Sequence, residues 1–143
     1  MRQLEFIDPD KIKKYRGYKV AVNNSIKYIR VTRGQRLIEL NREFFMRITN
    51  AQRIFLLEWH RRRLRYSNEY DCDKKTFEYC TKHLNIEPEE IYNLFRSNMF
   101  RNGIERKNRL FQLVTISKEE YQWQQFKQII LNVWNRIRKI FVR

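Results

Sequence analysis

The sequence predicts a mostly α-helical protein, and three features between residues 48 and 108 support this prediction. Thr49 is followed by Gln52 three positions later, which is the spacing of a capping box at the start of a helix. Pro88 follows a short polar stretch and stands where the first position of a helix tolerates proline. From Ile91 to Met99, apolar residues recur at helical spacing. Together these features predict three helices in a helix-turn-helix order.

The third of these helices is predicted to have one core-facing side and one exposed side. The helix before it would end near Leu84, and glutamates then crowd the next helix start, where free amide groups favour carboxylates. Gly103 is the expected stop. The exposed side carries Asn93, Arg96, Ser97 and Phe100. Such a helix after a tight turn is typical of one that enters the DNA major groove, and also of many ordinary surface helices.

Residues 1–46 form a basic N-terminal segment before the helix-turn-helix region, which spans 47–108. The alternation from Tyr18 to Val31 predicts a small β-hairpin that turns at Asn23-Asn24, because asparagine tolerates positive φ. The apolar spacing from Gln35 to Met46 predicts another helix.

The apolar spacing in residues 109–143 predicts one further amphipathic helix. Ser117 to Glu120 has the spacing of a capping box. The apolar stripe that follows consists of Phe126, Ile130, Val133, Ile137 and Phe141, with Trp123 and Trp134 beside it. Three roles fit this helix: it covers the domain core, it binds a partner protein such as a second transcription factor, or it lies as a basic amphipathic helix at a membrane surface. No apolar run reaches about eighteen residues, so no transmembrane helix is expected. Among the three roles we expect the first or the second, and no membrane partner.

The charge balance indicates a polyanionic partner. Lys and Arg number 31 against 16 Asp and Glu, which gives a net charge of +15, and nucleic acid is the commonest polyanion. The charges are also segregated, since residues 47–66 carry +5 and residues 96–109 carry +4, whereas residues 67–90 carry −4. This segregation favours a nucleic-acid-binding surface, although a solvated charged face explains a single cluster too.

Little in the sequence indicates catalysis. His60 lies beside a run of arginines and is expected at the surface. His83, Cys80 and Cys72 lack the paired spacing of a structural zinc site, and Cys80 is expected to be a small buried side chain. The three glycines stand alone, so the chain has no phosphate-cradling glycine-rich loop. We therefore expect a protein that is not an enzyme and that needs no cofactor or metal.

The run from residue 48 to residue 108 resembles a homeodomain and is most similar to the yeast mating-type homeodomain proteins. The matching features are Thr49, Phe55-Leu56-Leu57-Glu58, the basic cluster Arg61-Arg62-Arg63 and the turn Ile86-Glu87-Pro88. The family's Trp-Phe-x-Asn-x-Arg motif falls on Leu94-Phe95-Arg96-Ser97-Asn98-Met99. Phe95 fits this motif. Leu94, Ser97 and Met99 replace its tryptophan, its base-reading asparagine and its phosphate-binding arginine, which implies weaker recognition of adenine.

The resemblance implies a sequence-specific transcriptional regulator that binds double-stranded DNA in the nucleus, together with a partner protein. The implied base contacts are Asn93, Arg96, Ser97 and Phe100. The implied phosphate contacts are Arg47, Arg61, Arg62, Arg63, Arg65 and Arg101. Two alternatives remain open. One is a basic RNA-binding or ribosome-associated structural protein whose eight Tyr and ten Phe stack on bases. The other is a homeodomain-like protein that keeps the fold but serves mainly as a protein partner.

Overall fold

The computed structural model of the protein describes residues 4–141, apart from the side chains of residues 115–119 and 141. The described chain is mostly helical with a small sheet, which confirms the predicted mostly-α class. It forms two compact units, one ending at Lys107 and the other beginning at Asn108. The elements are β1 (Lys14–Tyr15), β2 (Tyr18–Val22), β3 (Ile29–Thr32), β4 (Leu37–Leu40), α1 (Arg42–Arg47), α2 (Asn50–Arg63), α3 (Glu69–Lys82), α4 (Pro88–Arg96) and α5 (Gly103–Phe141).

The four strands form one sheet in the order β1-β2-β4-β3, so the hairpin predicted from Tyr18 to Val31 is wrong. β2 and β3 are not neighbours, because β4 lies between them, parallel to β2 and antiparallel to β3. Asn23 does not turn the chain back: its side-chain oxygen accepts from the backbone N of Ser25 (3.0 Å), and its Nδ2 donates to Glu39 (2.7 Å). The loop after β2 therefore crosses the end of β4 before β3 begins.

Residues 37–40 form β4 rather than part of the helix predicted from Gln35 to Met46. Burial alternates along this strand, because Ile38 and Leu40 are fully buried whereas Leu37 and Glu39 are only partly buried. Pairing with strands on both sides satisfies the backbone groups of β4, which outweighs the helical spacing of its leucines. The helix that remains is α1, and the side chain of Asn41 caps its first turn.

The three predicted helices α2, α3 and α4 are present in the predicted order. The capping box is confirmed, because the backbone N of Gln52 donates to Thr49 Oγ1 (3.2 Å) and the backbone N of Thr49 donates to Gln52 Oε1 (3.0 Å). Pro88 lies in the first turn of α4, as predicted. α4 ends at Arg96 rather than continuing through Met99, because Ser97 adopts an extended backbone (ψ 166°).

Helix α2 is the centre of the first unit. Every residue from Gln52 to Arg61 is buried, because α3, α4, β3 and β4 all contact this helix. The prediction that His60 is a surface residue is therefore wrong. Its Nδ1 lies 2.8 Å from the carbonyl oxygen of Leu56. Burial lowers the pKa of the imidazole to about 4, although the hydrogen bond with Leu56 opposes the shift. His60 is therefore neutral at pH 7.

The carboxylate of Glu58 is fully buried on α2 and joins the helix to the sheet. It accepts hydrogen bonds from the Tyr15 hydroxyl (2.6 Å), Arg16 Nη1 (2.7 Å), Arg61 Nη2 (3.0 Å) and Arg62 Nε (3.2 Å). Burial alone would raise the pKa of Glu58, but these hydrogen bonds and the charge of Arg61 hold it below its usual range. The carboxylate is consequently ionised and shares the charge of three arginines.

A second buried ion pair joins α3 to the start of α5 within the first unit. Arg106 donates from Nε to Asp73 Oδ2 and from Nη2 to Asp73 Oδ1, both at 2.7 Å, which is the two-pronged geometry that arginine forms with carboxylates. Trp59 Nε1 also donates to Asp73 (2.7 Å). The guanidinium lies 4.8 Å from the ring centroid of Phe100. This cluster fixes the segment that follows α4.

Helix α5 begins at Gly103, so the prediction that Gly103 stops a helix is wrong. A Cβ at residue 103 would lie only 2.1 Å from the carbonyl oxygen of Phe95, which explains why glycine occupies this position. The prediction that a helix starts at Ser117 is also wrong, because α5 continues through it without a break. The side chains of 117–119 and 141 lie outside the described residues. Within the described residues no helix combines the length and apolarity needed to cross a bilayer.

The Glu58 cluster makes a first testable prediction. Glu58→Gln should lower the free energy of unfolding by roughly 3–5 kcal/mol, because it leaves buried Arg61 without its counter-charge. Urea unfolding followed by circular dichroism measures this loss. The matched control is Glu43→Gln, which removes an exposed ion pair with Arg47 and should leave stability nearly unchanged. Equal effects of the two variants would contradict a structural role for Glu58.

A second prediction concerns pH. The unfolded chain binds a proton at residue 60 below about pH 6.5, whereas folded His60 does so only near pH 4, so stability must fall as the pH drops through this window. The loss between pH 7 and pH 5 should be about 2 kcal/mol. His60→Leu should abolish it, and the exposed His83→Gln should preserve it. The urea midpoints of unfolding at pH 7 and pH 5 measure this loss. If His60→Leu loses as much stability between these pH values as the wild type does, the loss does not come from His60.

Candidate nucleic-acid interface

The sheet, rather than the helix-turn-helix region, lies in the most basic part of the chain. Residues 11–38 contain nine Lys and Arg and no Asp or Glu. These cations are Lys11, Lys13, Lys14, Arg16, Lys19, Lys27, Arg30, Arg33 and Arg36. The sequence predicts a basic N-terminal segment here, without a binding site. The signal that could have identified one is the absence of acidic residues over the whole run.

Lys14 on β1 and Lys19 on β2 are direct cross-strand partners. They lie on the side of the sheet opposite to the buried Tyr15 and Val20, and both are exposed. Neither forms an ion pair within the described residues. Like charges directly opposite each other destabilise a strand pair by up to about 1 kcal/mol. Because an anion between the two ammonium groups would remove this repulsion, the pair is a candidate phosphate-binding element.

Two arginines extend this lysine pair at the same end of the sheet. β2 and β4 are parallel and both begin at this end, and the backbone N of Lys19 donates to the carbonyl oxygen of Arg36 (2.9 Å). Arg33 and Arg36 lie in the turn between β3 and β4, and both are exposed. We refer to Lys14, Lys19, Arg33 and Arg36 as the basic sheet face. Its backbone belongs to paired strands and their turn, so the Cα atoms that carry these side chains have defined positions.

Glu39 is the one acidic residue in the four strands. Hydrogen bonds from Arg30 Nε (3.0 Å) and Asn23 Nδ2 (2.7 Å) lower the pKa of its carboxyl group. Its charge is thus matched by Arg30, its cross-strand partner on β3. The four cations of the basic sheet face are left without a carboxylate on the strands that could neutralise them.

The basic cluster at the end of α2 does not form the expected phosphate-binding surface. Arg61 is buried and Arg62 is mostly buried, and both bind Glu58. The guanidinium of Arg62 also lies 4.5 Å from the ring centroid of Tyr79. Internal partners thus occupy Arg61 and Arg62, which argues against the phosphate contacts expected of them.

The other four predicted phosphate contacts are dispersed. Arg63 is half-buried and donates to the carbonyl oxygen of Tyr66 (3.1 Å). Arg47, Arg65 and Arg101 are exposed and therefore accessible to a ligand. Arg47 lies on α1, where it faces Glu43 at 3.9 Å. Arg65 follows α2 and Arg101 precedes α5, so these cations come from separate segments.

The four predicted base-facing residues do not share one helix face. Asn93 and Arg96 are exposed on α4 and contact each other, with Arg96 Nη1 2.7 Å from Asn93 Oδ1. Arg96 also forms an ion pair with Glu89. Ser97 is the C-cap rather than a helical residue. Phe100 lies beyond the helix and stacks on Phe95, with ring centroids 4.5 Å apart, so it does not belong to the exposed face of α4.

The buried carboxylate of Glu58 and the two buried thiols are unsuited to catalysis. The carboxylate of Glu58 already accepts four hydrogen bonds, so it cannot act as a free general base. Cys72 and Cys80 are buried, and burial raises the pKa of each thiol to about 12, which makes both unreactive at pH 7. No cluster of His, Cys, Asp and Glu among these residues has a geometry that could hold a metal ion.

No protein-family model, curated protein sequence or solved structure matched this chain. The resemblance to homeodomains therefore stays a prediction from the sequence. The support for a nucleic-acid interface is the geometry and charge of the basic sheet face.

The lysine pair makes a third testable prediction, which concerns stability. Lys19→Glu should raise the free energy of unfolding by about 0.2–1 kcal/mol at low ionic strength, because it places a carboxylate opposite Lys14. The gain should shrink in salt, which screens exposed charges. The control is Lys75→Glu on α3, which has the same change of charge but replaces a favourable contact with Glu78 by repulsion. Destabilisation by Lys19→Glu at low salt would mean that the lysine pair carries no repulsion.

Proposed function

We propose that this protein binds double-stranded DNA through the basic sheet face. The observation that carries the proposal is the cross-strand pair of Lys14 and Lys19, two exposed like charges directly opposite each other. A row of phosphates supplies the negative charge that this arrangement lacks. Arg33 and Arg36 enlarge the same charged surface, so several phosphates can be neutralised together.

The distribution of charge supports the sheet over the helices as the main contact. Several arginines that contribute to the net charge of +15 serve inside the protein, among them Arg53, Arg61 and Arg106, which are buried. Of the nine cations of residues 11–38, Arg16 and Arg30 pair with carboxylates outside that run, whereas the four of the basic sheet face form no ion pair within the described residues. A surface of one sign attracts a polyanion over long distances and speeds its association.

Duplex DNA is the polyanion that we propose, because it carries one negative charge per about 1.7 Å of helix axis in a regular array of phosphates. The strand pair β1–β2 is one edge of the four-stranded sheet, since β4 pairs with the other side of β2, so the sheet presents a face to the phosphates rather than a free ribbon to a groove. Regulation of transcription in the nucleus is the role that we propose for this binding.

A second candidate function is base recognition by α4 in the manner of a homeodomain. One observation favours it: Asn93 and Arg96 are exposed side by side on a helix that follows a tight turn. Glu89 opposes it, because its carboxylate pairs with Arg96 and would repel nearby phosphates. In this second proposal, DNA must displace Glu89 before Arg96 can reach a guanine edge.

The fourth prediction tests the basic sheet face. Affinity for a duplex should fall steeply with salt, and the slope of log K against log [salt] should be about −0.9 per neutralised phosphate. The variant Lys14→Ala/Lys19→Ala/Arg33→Ala should reduce the size of that slope by about 2.7 if each cation binds one phosphate. Fluorescence anisotropy at several salt concentrations measures both quantities.

The matched control for this variant is Lys74→Ala/Lys75→Ala/Lys82→Ala, which removes the same charge from α3. It should keep nearly all of the wild-type slope, because a local contact depends on position rather than on net charge. Identical slopes in the two variants would refute the sheet as the contact surface. Stronger binding to duplex RNA than to duplex DNA would refute the choice of ligand.

The fifth prediction separates the two candidate functions. If α4 reads bases, Arg96→Ala should lose about 1–3 kcal/mol on a preferred duplex and little on a scrambled one. If the basic sheet face alone binds DNA, Arg96→Ala should bind both duplexes as the wild type does. Glu89→Gln is the companion variant, since it frees Arg96 from its ion pair. Selection of a preferred site from random duplexes precedes the measurement, and failure to select any site would exclude the base-reading candidate.

A further inference from the structure

The second unit exposes a regular row of large apolar side chains along α5. The row consists of Trp123, Phe126, Ile130, Val133, Ile137 and Ile140, whose exposed fractions lie between 40% and 72%. Its members are separated by three, four, three, four and three positions. We refer to these six residues as the apolar seam. The covering role considered from the sequence gains no support from these exposures.

The spacing of the apolar seam is that of a heptad repeat, with Trp123, Ile130 and Ile137 at the a positions and Phe126, Val133 and Ile140 at d. This alternation has a period of 3.5 residues, whereas a straight helix turns once in 3.6. The difference is absorbed when helices wind around one another, which keeps a strict a/d row against its partner along its whole length. The repeat therefore favours another helix with the same repeat as the occupant of the seam.

We infer that the apolar seam joins copies of this chain in a parallel coiled coil. In a parallel arrangement, each g residue meets the e residue of the next heptad on the neighbouring helix. Ile129 occupies a g position and Trp134 the following e position, and each is 61% exposed. The preceding pair is Gln122 with Lys127. Self-association thus places apolar residues against apolar ones and brings no like charges together at these pairs.

The residue types in the apolar seam favour more than two strands. Ile130 and Ile137 occupy a positions, and Val133 and Ile140 occupy d positions, so β-branched residues stand at both. β-branched residues at a with leucine at d favour dimers, whereas isoleucine at both positions shifts the preference to trimers and tetramers. Ile129 at g and Trp134 at e are also apolar and exposed. They favour more than two helices as well, because the e and g positions become buried when additional helices join the coiled coil.

A lipid surface is the competing occupant, and the spacing argues against it. A helix lying on a membrane needs only a broad apolar face of period 3.6 with cations beside it. A row of period 3.5 drifts by about 20° per heptad around a straight helix, and a helical partner that supercoils follows this drift, whereas a flat lipid surface does not. Lys127 and Arg136 flank the seam and would suit either occupant, so the experiment has to separate the two.

The experiment uses the full chain in about 0.5 M salt, where exposed charges are screened and nucleic acid is released. Sedimentation equilibrium over a range of concentrations gives the mass, which should rise to three or four times the 18.0 kDa of one chain. Ile130→Asp/Ile137→Asp should sediment as the 18.0 kDa monomer at the same concentrations. Both side chains are exposed, so circular dichroism should show the first unit still folded.

The control is Gln128→Asp/Asn135→Asp, which adds the same charges at the same seven-residue spacing on the f positions, away from the seam. It should assemble as the wild type does. A monomeric wild type would overturn the proposal, as would equal assembly of both variants. A wild type that stays monomeric but floats with phosphatidylserine vesicles would assign the seam to a membrane instead.

Discussion

The buried carboxylate of Glu58 is the interaction on which the arrangement of the first unit depends. It accepts hydrogen bonds from Tyr15 at the edge of the sheet, from Arg16 in the adjoining turn and from two arginines of its own helix. Arg62 lies in turn against Tyr79 of α3, so one ion connects strand β1, helix α2 and helix α3. A lone buried carboxylate would be strongly unfavourable, and only the complete set of donors makes its burial tolerable. The cluster therefore favours a single docking of the sheet on the helices.

The cations of the described residues include a buried group and an exposed group. Among the described residues, the buried cations are all arginines: Arg53, Arg61 and Arg106. Each finds internal acceptors, and Arg53 for example donates to the carbonyl oxygens of Phe45 (2.7 Å) and Ile7 (2.8 Å). A planar guanidinium with five donors can satisfy such sites, whereas a lysine ammonium is a strongly hydrated point charge. The lysines of the sheet stay in water, which leaves them available to bind phosphates.

The local parts of the fold could be predicted from the sequence, and the non-local parts could not. The capping box of Thr49 and the proline start of α4 depend on residues within one helical turn, so their signals were sufficient. The pairing of β2 with β4 joins partners eighteen residues apart, such as Lys19 and Leu37, so no local pattern could indicate it. The pairing of β3 with β4 is local, but the helical spacing of Leu37 and Leu40 concealed the strand. For the candidate site, Asn93 and Arg96 were placed correctly on the exposed face of α4. Arg61 and Arg62 were not, because their burial depends on elements that surround α2 on several sides.

Self-association through the apolar seam would change the affinity of the basic sheet face for DNA. Four cations on a small sheet give only a modest, salt-sensitive affinity for a duplex, since each neutralised phosphate contributes separately. If the apolar seam joins three or four chains, each assembly carries as many basic sheet faces. Once one face is bound, the others experience the same DNA at an effective concentration in about the millimolar range. Avidity would then raise the overall affinity without any additional contact on a single chain. Under these two proposals, firm binding to DNA would not depend on α4, whose Arg96 is paired with Glu89.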